Sequence, residues 1–285
     1  MLMFCSLNSR RPVAVLGLLA FSTLSTIEPS YAQATLEFEF KGRVEPRQRV
    51  QIANQVTGVV EQVHVEAGHI VKVGDLLFSI DASSFRLDVE VAEAEVLEAR
   101  AKLELAEDIA ARRASLEQRG SGASAAAKQS ALEASMARAV LKRAEAQLSL
   151  ASLALKRTEI RSPINGIAQR PRVSPGAFVE AEGGTVLGEI VQTDPVLVAY
   201  QITYADRQAV LSATGTTLVV DLYRSIKLKL RLPSGAHYPE GGRALFESAE
   251  IDPATQAITV WGEFPNPTGV LIPGLDVTVL SSFER

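Results

Sequence analysis

The sequence predicts a mainly β fold with a long α-helical hairpin: a β-sandwich split by an antiparallel coiled coil and followed by a small β-barrel. Three observations predict it. Apolar residues recur at steps of three and four along residues 82–158, and similar glycine-rich segments flank that stretch. Alternating apolar residues separated by Gly/Pro turns fill residues 193–285. The 285-residue length allows one large domain or two to three small ones.

Residues 1–34 have the features of a secretory signal peptide. A basic pair precedes an apolar run over residues 13–24, and Ala32 and Ala34 supply the small residues that a signal peptidase recognises. We predict cleavage after Ala34 and export of the remaining chain. An uncleaved membrane anchor is the alternative, but the apolar run is shorter than the ~20 residues that a spanning helix needs.

Composition argues against several functional classes. The only cysteine, Cys5, lies inside the predicted signal and before its apolar run, so the exported chain is expected to have neither disulfides nor a lipid-modified cysteine. The net charge is −4, aromatic residues are few, and no basic patch is evident. We therefore expect no nucleic-acid partner.

Residues 82–158 are predicted to form two long helices joined at a glycine-rich tip. The three-and-four spacing places the apolar residues on one side of each helix, here called its seam. The first seam comprises Phe85, Val89, Ala92, Val96, Ala99, Leu103, Ala106 and Ala110. The second seam comprises Ala134, Ala137, Leu141, Ala144, Leu148, Ala151 and Leu155. Glycines between the runs predict a reversal, so the helices, each about 50 Å long, should lie antiparallel.

The segments 47–81 and 159–192, on either side of the helices, resemble each other. Gly58 and Gly166 open equivalent β-rich runs, and each is followed by a glycine ten residues later and a valine thirteen residues later. Neither segment is large enough to enclose a core alone. We therefore expect the two halves to pack face to face as one β-sandwich.

The halves resemble those of a biotinyl/lipoyl carrier domain, and residues 162–166 (Ser-Pro-Ile-Asn-Gly) resemble the start of its second half. A carrier domain presents a modified lysine in the turn between its halves. Here no lysine follows Ile80-Asp81, and the helical stretch is inserted instead. A lipoyl-like domain interrupted in this way resembles the periplasmic adaptor, or membrane fusion protein of the HlyD-like family, of RND-type tripartite efflux pumps.

Residues 193–285 are predicted to form the barrel, which the N-terminal strand 35–46 should join. Strand candidates are 196–203, 218–221, 226–232 and 277–280, and a short helix is expected at 204–211. The turns at 251–253, 264–267 and 273–274 resemble those of the barrel in RND adaptors. The resemblance also implies that a C-terminal, membrane-proximal domain is missing after Arg285.

The resemblance implies a role and a set of partners. Such adaptors connect an inner-membrane RND transporter to a TolC-like outer-membrane channel in the efflux of small molecules. They associate with copies of themselves as a ring, a hexamer in the family, and work in the periplasm, held at the inner membrane through their partners. The family's channel-docking pattern is partly matched here by Arg112, Leu116, Gly120 and Ser124. The pattern's serine would align with Ala123.

Other functions remain open alternatives. An adaptor of an ABC-type exporter belongs to the same class, whereas a carrier-domain enzyme subunit and a periplasmic coiled-coil scaffold belong to others. We expect no catalytic residues and no cofactor, because no nucleophile, phosphate loop or carrier lysine stands out. His64 and His69 lack the cysteine or carboxylate cluster of a metal site.

Overall fold

The computed structural model describes residues 37–121, 123–214, 223 and 226–283. The predicted signal, with its cleavage residues Ala32 and Ala34, and the strand candidate 218–221 lie outside the described residues. The described strands are β1 Glu37–Ala53, β2 Gly58–Val63, β3 Ile70–Val71, β4 Leu76–Ile80, β5 Glu159–Arg161, β6 Gly166–Ala168, β7 Phe178–Val179, β8 Val186–Thr203, β9 Ile226–Arg231, β10 Gly242–Glu247, β11 Ala257–Phe264 and β12 Asp276–Phe283. The described helices are α1 Ser83–Gln118, α2 Ser124–Lys156 and α3 Tyr204–Thr214.

Two sheets face each other around one apolar core. One sheet has the strand order β5-β4-β2-β7, and the other is formed by β3, β6, β8 and the C-terminal part of β1. Phe78 and Ile80 from the first sheet pack with Leu187 and Ile190 from the second. All four side chains are at most 1% exposed. Strands from both sides of the helical insertion therefore build a single sandwich, as the repeated glycine pattern predicts.

The two halves of the sandwich exchange strands. Residue numbers at equivalent positions differ by 108, as in Gly58 and Gly166. Val59 in β2 pairs with Phe178 in β7, and the equivalent pair joins Ile167 in β6 to Ile70 in β3. Each half thus supplies an edge strand to the sheet of the other, which explains why neither half could fold around its own core.

Polar contacts repeat with the same offset. The Thr57 hydroxyl accepts a 3.0 Å hydrogen bond from the backbone amide of Ala181, while Asn165 Oδ1 accepts a 2.9 Å bond from the amide of Val73. The two acceptors are equivalent residues, and so are the two donors. The halves are therefore joined by the same side-chain bond in both directions.

Six strands close the barrel in the order β1-β12-β9-β10-β11-β8, and β8 returns to β1. Its core includes Phe264, Leu228, Leu230 and Val279, each at most 1% exposed. The lysines of β9 face outward, as the alternating sequence predicts. Two strands, β10 and β11, were not predicted, because only the turns beside them have a clear sequence pattern.

The boundaries predicted at residues 46/47 and 192/193 do not interrupt the strands. Both β1 and β8 run unbroken from the sandwich into the barrel. Their register shifts at this point: Arg47 lies opposite residues 193–195. The extra residues of β8 are fixed by Asn266, whose amide nitrogen donates to the carbonyls of Thr193 and Leu271. Backbone pairing thus continues from the sandwich into the barrel, with a bulge at the predicted boundary.

The helices α1 and α2 pack side by side and antiparallel; we call them the helix pair. Arg138 on α2 forms an ion pair with Glu107 on α1, and Arg113 near the end of α1 contacts the Ala126 carbonyl near the start of α2. Every residue of the two predicted seams is buried or half-buried. Within the described residues, no helix is both long enough and apolar enough to cross a bilayer.

Candidate functional site

At the end of the helix pair that is farthest from the β domains, α1 terminates with a glycine cap. Gly120 adopts a positive φ of 73° and its amide donates to the Glu117 carbonyl at 2.9 Å. The Ser121 amide donates to the Leu116 carbonyl at 3.0 Å. These two bonds are those of a Schellman motif, which ends a helix and turns the chain. Gly120 therefore has a clear structural role at the reversal.

The predicted docking side chains lie around this reversal. Arg112 and Leu116 are one turn apart on α1, and Ser124 is the first residue of α2. Leu116 is 49% exposed, so it is not a core leucine. The Arg112 guanidinium, 77% exposed, forms a 2.6 Å ion pair with Asp108 on the preceding turn. An exposed leucine and a positioned guanidinium thus share the distal part of α1.

Two buried residues of this tip were not predicted from the sequence. Ala127 and Ser130 of α2 are buried, which extends the second seam by two positions toward the reversal. The Ser130 hydroxyl donates to the Ala127 carbonyl at 2.9 Å, so a polar residue occupies a seam position without an unpaired hydroxyl. The spacing of three and four, continued back from Ala134, would have identified both residues.

The helix pair starts from a turn that orders its first residues. The Asp81 carboxylate accepts hydrogen bonds from the Ser83 hydroxyl at 2.6 Å and the Ser83 amide at 2.9 Å. These bonds lower the pKa of Asp81, because they favour its charged form. Asp81 therefore helps to begin α1 at the point where the turn between the two halves was predicted to be replaced by the helices.

Two carboxylates of the barrel, Glu247 and Glu263, are engaged in ion pairs. Arg207 on α3 donates hydrogen bonds to both carboxylate oxygens of Glu247 on β10, the shortest at 2.8 and 3.0 Å. Burial opposes ionisation of Glu247, but hydrogen bonds from Arg207 and Tyr223 outweigh it and lower the pKa of Glu247. Glu263 is likewise held between Arg47 and Arg243. The lowered pKa keeps Glu247 ionised, and both sets of ion pairs join elements of the barrel.

The histidines do not converge with metal ligands in the part of the chain that the structure describes. His64 Nε2 lies 3.2 Å from the Ser79 hydroxyl. Across residues 37–121, 123–214, 223 and 226–283, no group of three or more His, Cys, Asp or Glu side chains is placed to hold a metal ion.

Residues 48–192 match the family model described as "RND MFP, barrel-sandwich hybrid domain", and this region is about half of the chain. The chain belongs to the RND membrane fusion protein family. The matched region contains both halves of the sandwich and the whole helix pair. The resemblance inferred from the glycine repeat and the inserted helices is thereby confirmed.

Two relatives with similar sequences are named for multidrug resistance and for solvent efflux. The chain is 28% identical over 247 residues to the multidrug resistance protein MexA of Pseudomonas aeruginosa, covering 85% of this chain and 60% of that protein. It is 30% identical over 257 residues to the solvent efflux pump periplasmic linker SrpA of Pseudomonas putida, covering 87% of this chain and 62% of that protein. This family member thus spans about three fifths of the length of these relatives.

Solved structures share the fold. A putative efflux transporter from Bacteroides eggerthii superposes with a TM-score of 0.65 at 18% identity, covering 88% of this chain and 70% of that one. At this identity the likeness concerns architecture alone. It supports the arrangement of sandwich, helices and barrel described above.

Proposed function

We propose that this chain is a periplasmic adaptor that links an inner-membrane RND transporter to a TolC-like outer-membrane channel for the efflux of small molecules. The observation that carries the proposal is a family-matched sandwich from which two helices of 36 and 33 residues extend. Its location would be the periplasm, after cleavage of the signal at Ala34, with the inner membrane contacted through its partners.

The function of such a chain would be mechanical. At ~1.5 Å per residue, helices of this length extend on the order of 50 Å, which is far more than the sandwich needs for its own packing. Their ends present Leu116 and Arg112 away from both β domains. The transporter would supply the energy, and we assign no catalytic step and no cofactor to this chain.

We propose that the tip docks on the channel through four residues in different roles. Leu116, already half exposed, would fill an apolar groove on a channel helix. Arg112 would exchange its Asp108 partner for a carboxylate or carbonyl of the channel, a charge-assisted bond. Gly120 would fix the reversal and Ser124 would offer its hydroxyl at the start of α2.

The helix pair also has exposed apolar side chains on its flanks. Leu132, Met136 and Leu150 on α2 are 59–69% exposed. They lie on one side of the helix, because Met136 and Leu150 are about one and five turns from Leu132. One helix pair leaves this stripe uncovered. We therefore propose that copies of the chain assemble side by side in a ring, a hexamer as the family resemblance implies.

An ABC-type exporter is the alternative to an RND transporter as the inner-membrane partner.

The test replaces Leu116 by Asp. If the tip docks as proposed, cells carrying Leu116→Asp become as sensitive to pump substrates as cells lacking the adaptor, because an unpaired charge in a dry contact costs several kcal/mol. Susceptibility to drugs and solvents is measured in the native host, and thermal unfolding is measured on the purified variant. The unfolding midpoint should stay unchanged, since Leu116 lies outside the buried seam.

A matched control separates the tip from the rest of the helix. Leu97→Asp introduces the same charge on α1 at a site that is 64% exposed, about 29 Å from Leu116 along the helix. Efflux should survive Leu97→Asp. Equal sensitivity of both variants would assign the effect to the flank and remove Leu116 from the docking site. Normal resistance of cells carrying Leu116→Asp would also remove Leu116 from the docking site.

A further inference from the structure

Two cross-strand apolar pairs lie on the surface of the sandwich. Val59 in β2 and Phe178 in β7 are paired, and they are 41% and 63% exposed. Ile70 in β3 is paired with Ile167 in β6, and Ile70 is 74% exposed. Apolar side chains as exposed as these are informative when they are adjacent, because together they form a patch.

The two pairs point away from the core on opposite sides of the sandwich. Successive residues of a strand point to opposite faces, and the next residue of each of these four strands is buried in the common core. Those core residues are Val60, Val179, Val71 and Ala168. The first pair belongs to the sheet of β2 and β7, and the second pair belongs to the facing sheet. The patches are therefore on the two outer surfaces.

The charges beside the two patches have opposite signs. We define the first face as Val59, Glu61, Phe178 and Glu180, and the second face as Ile70, Lys72, Ile167 and Arg170. The 108-residue offset makes Lys72 the equivalent of Glu180 and Arg170 the equivalent of Gln62. The repeat thus preserves the apolar pairs but not the charges. Glu180 is exchanged for Lys72, and the equivalents of Glu61 and Arg170 are the uncharged Gln169 and Gln62.

These charges are available to a partner. All four charged residues are exposed, and none of them forms a salt bridge with another residue in the described ranges. Elsewhere in the sandwich, by contrast, Glu189 is paired with Arg49 at 2.5 Å. The two faces therefore combine uncovered apolar area with unpaired and complementary charge.

We propose that the first face of one copy of this chain binds the second face of the next copy. Phe178 would pack on Ile70 and Ile167, while Glu180 and Glu61 would meet Lys72 and Arg170. This inference rests on the adaptor function proposed above and assigns the surface through which its sandwich domains would contact one another. Joining two different surfaces makes a head-to-tail contact, which closes into a ring when the rotation between copies permits.

The charges disfavour the symmetric alternatives. If two first faces met, Glu180 and Glu61 of one copy would lie against the same residues of the other. If two second faces met, Lys72 and Arg170 of one copy would lie against Lys72 and Arg170 of the other. Like charges placed together across an interface are unfavourable and discriminate against wrong partners. The head-to-tail arrangement brings opposite charges together.

Cysteine cross-linking tests this arrangement directly. In a Cys5→Ser background the chain has no other cysteine. Phe178→Cys and Ile70→Cys are introduced on separate chains, which are expressed together in the native host and treated with a thiol-specific bismaleimide. We expect covalent dimers when both chains are present and only monomers when either is expressed alone. A chain that carries both substitutions should give a ladder of multimers.

Other results would overturn the proposal. Dimers from Phe178→Cys alone or from Ile70→Cys alone would show a symmetric contact. Absence of dimers from the mixed chains would show that the faces do not meet, and a cross-link to another protein would show that a different partner covers the face.

Charge exchange provides the second measurement. Glu180→Lys should lower the yield of mixed dimers about tenfold, and Lys72→Glu on the other chain should restore it. Glu250→Lys makes the same charge change at an exposed site in a barrel loop and should leave the yield unchanged. Failure of Lys72→Glu to restore the yield would contradict pairing between these residues.

The outcome is separable from that of the adaptor function. If the chain supports efflux and the mixed chains give no dimer, the interface is wrong and the adaptor function stands. If the mixed chains give dimers and deletion of the chain leaves efflux intact, the adaptor function is wrong and the interface stands.

Discussion

Gly58 and Gly166 hold equivalent places in the two halves of the sandwich, yet their surroundings differ. A Cβ at Gly58 would lie 2.6 Å from Ile80 Cγ2, the end of a side chain. A Cβ at Gly166 would lie 2.5 Å from the carbonyl oxygen of Val191 in β8. A side chain can rotate away from an added methyl group, whereas the backbone of a strand paired on both sides cannot. The repeat therefore gives both halves the same backbone shape. The neighbouring atoms determine whether each half can accommodate an added methyl group.

The first prediction tests this difference and has the largest expected effect. Gly166→Ala should destabilise the protein by about 2–3 kcal/mol, because a backbone carbonyl in a paired strand has to move. Gly58→Ala should cost about 1 kcal/mol, because Ile80 can change its side-chain conformation. Urea unfolding of the purified variants measures both. Equal losses would show that the surroundings of the two glycines do not differ in compliance.

The second prediction concerns the bonds that join the halves in both directions. Removing either acceptor, by Asn165→Ala or Thr57→Ala, should cost about 0.5–1 kcal/mol, the usual net value of one hydrogen bond. The double variant should lose the sum, since the two bonds are made by different residues with different partners. Urea unfolding again provides the measurement, and Thr57→Ser, which keeps the hydroxyl, is the control. A loss far above the sum would mean that the bonds are coupled.

The third prediction extends the comparison to the barrel and has the smallest effect. The lowered pKa of Glu247 means that its ion pair with Arg207 contributes stability above the ordinary glutamate pKa of about 4.3. That contribution is lost as the pH falls through the lower pKa of the folded state. Thermal midpoints recorded between pH 3 and pH 7 should therefore fall at the acidic end by less in Glu247→Gln than in the original chain.

Unchanged acid sensitivity in Glu247→Gln would contradict the third prediction. A matched control is Glu250→Gln, which removes a neighbouring exposed carboxylate for which no pairing is seen in the described residues. Its midpoints should follow those of the original chain at every pH. If both variants behave alike, the acid effect belongs to the overall charge and not to the Arg207–Glu247 pair.

Much of the helix pair could be predicted because its signal is local. The seam residues from Phe85 to Ala110 lie within one helix, so their three-and-four spacing is visible without any knowledge of the partner helix. All eight are buried or half-buried. β10 and β11 were not predicted. Residues 238–242 and 251–255 have clear turn patterns, whereas the strands beside them have no comparably clear pattern.

For the candidate docking site, the sequence indicated the residues but not their surroundings. Leu116 could be located at the end of the first helix, whereas its 49% exposure depends on how α2 packs against α1. The Arg112–Asp108 ion pair was accessible from the four-residue spacing. Gly120 was assigned to the reversal, and its helix-ending bonds follow from the positive φ that glycine permits.

The sequence by itself determined the helices, the position of their reversal and the existence of two similar β segments. These features depend on periodicity and on glycine, which act between near neighbours in the chain. Only the tertiary structure decided that β1 and β8 continue from sandwich to barrel, that β1 pairs with β12 to close the barrel, and that the two apolar pairs point out of opposite sheets. The physical reason is that strand pairing joins backbone groups far apart in sequence, and those groups are the same in every residue.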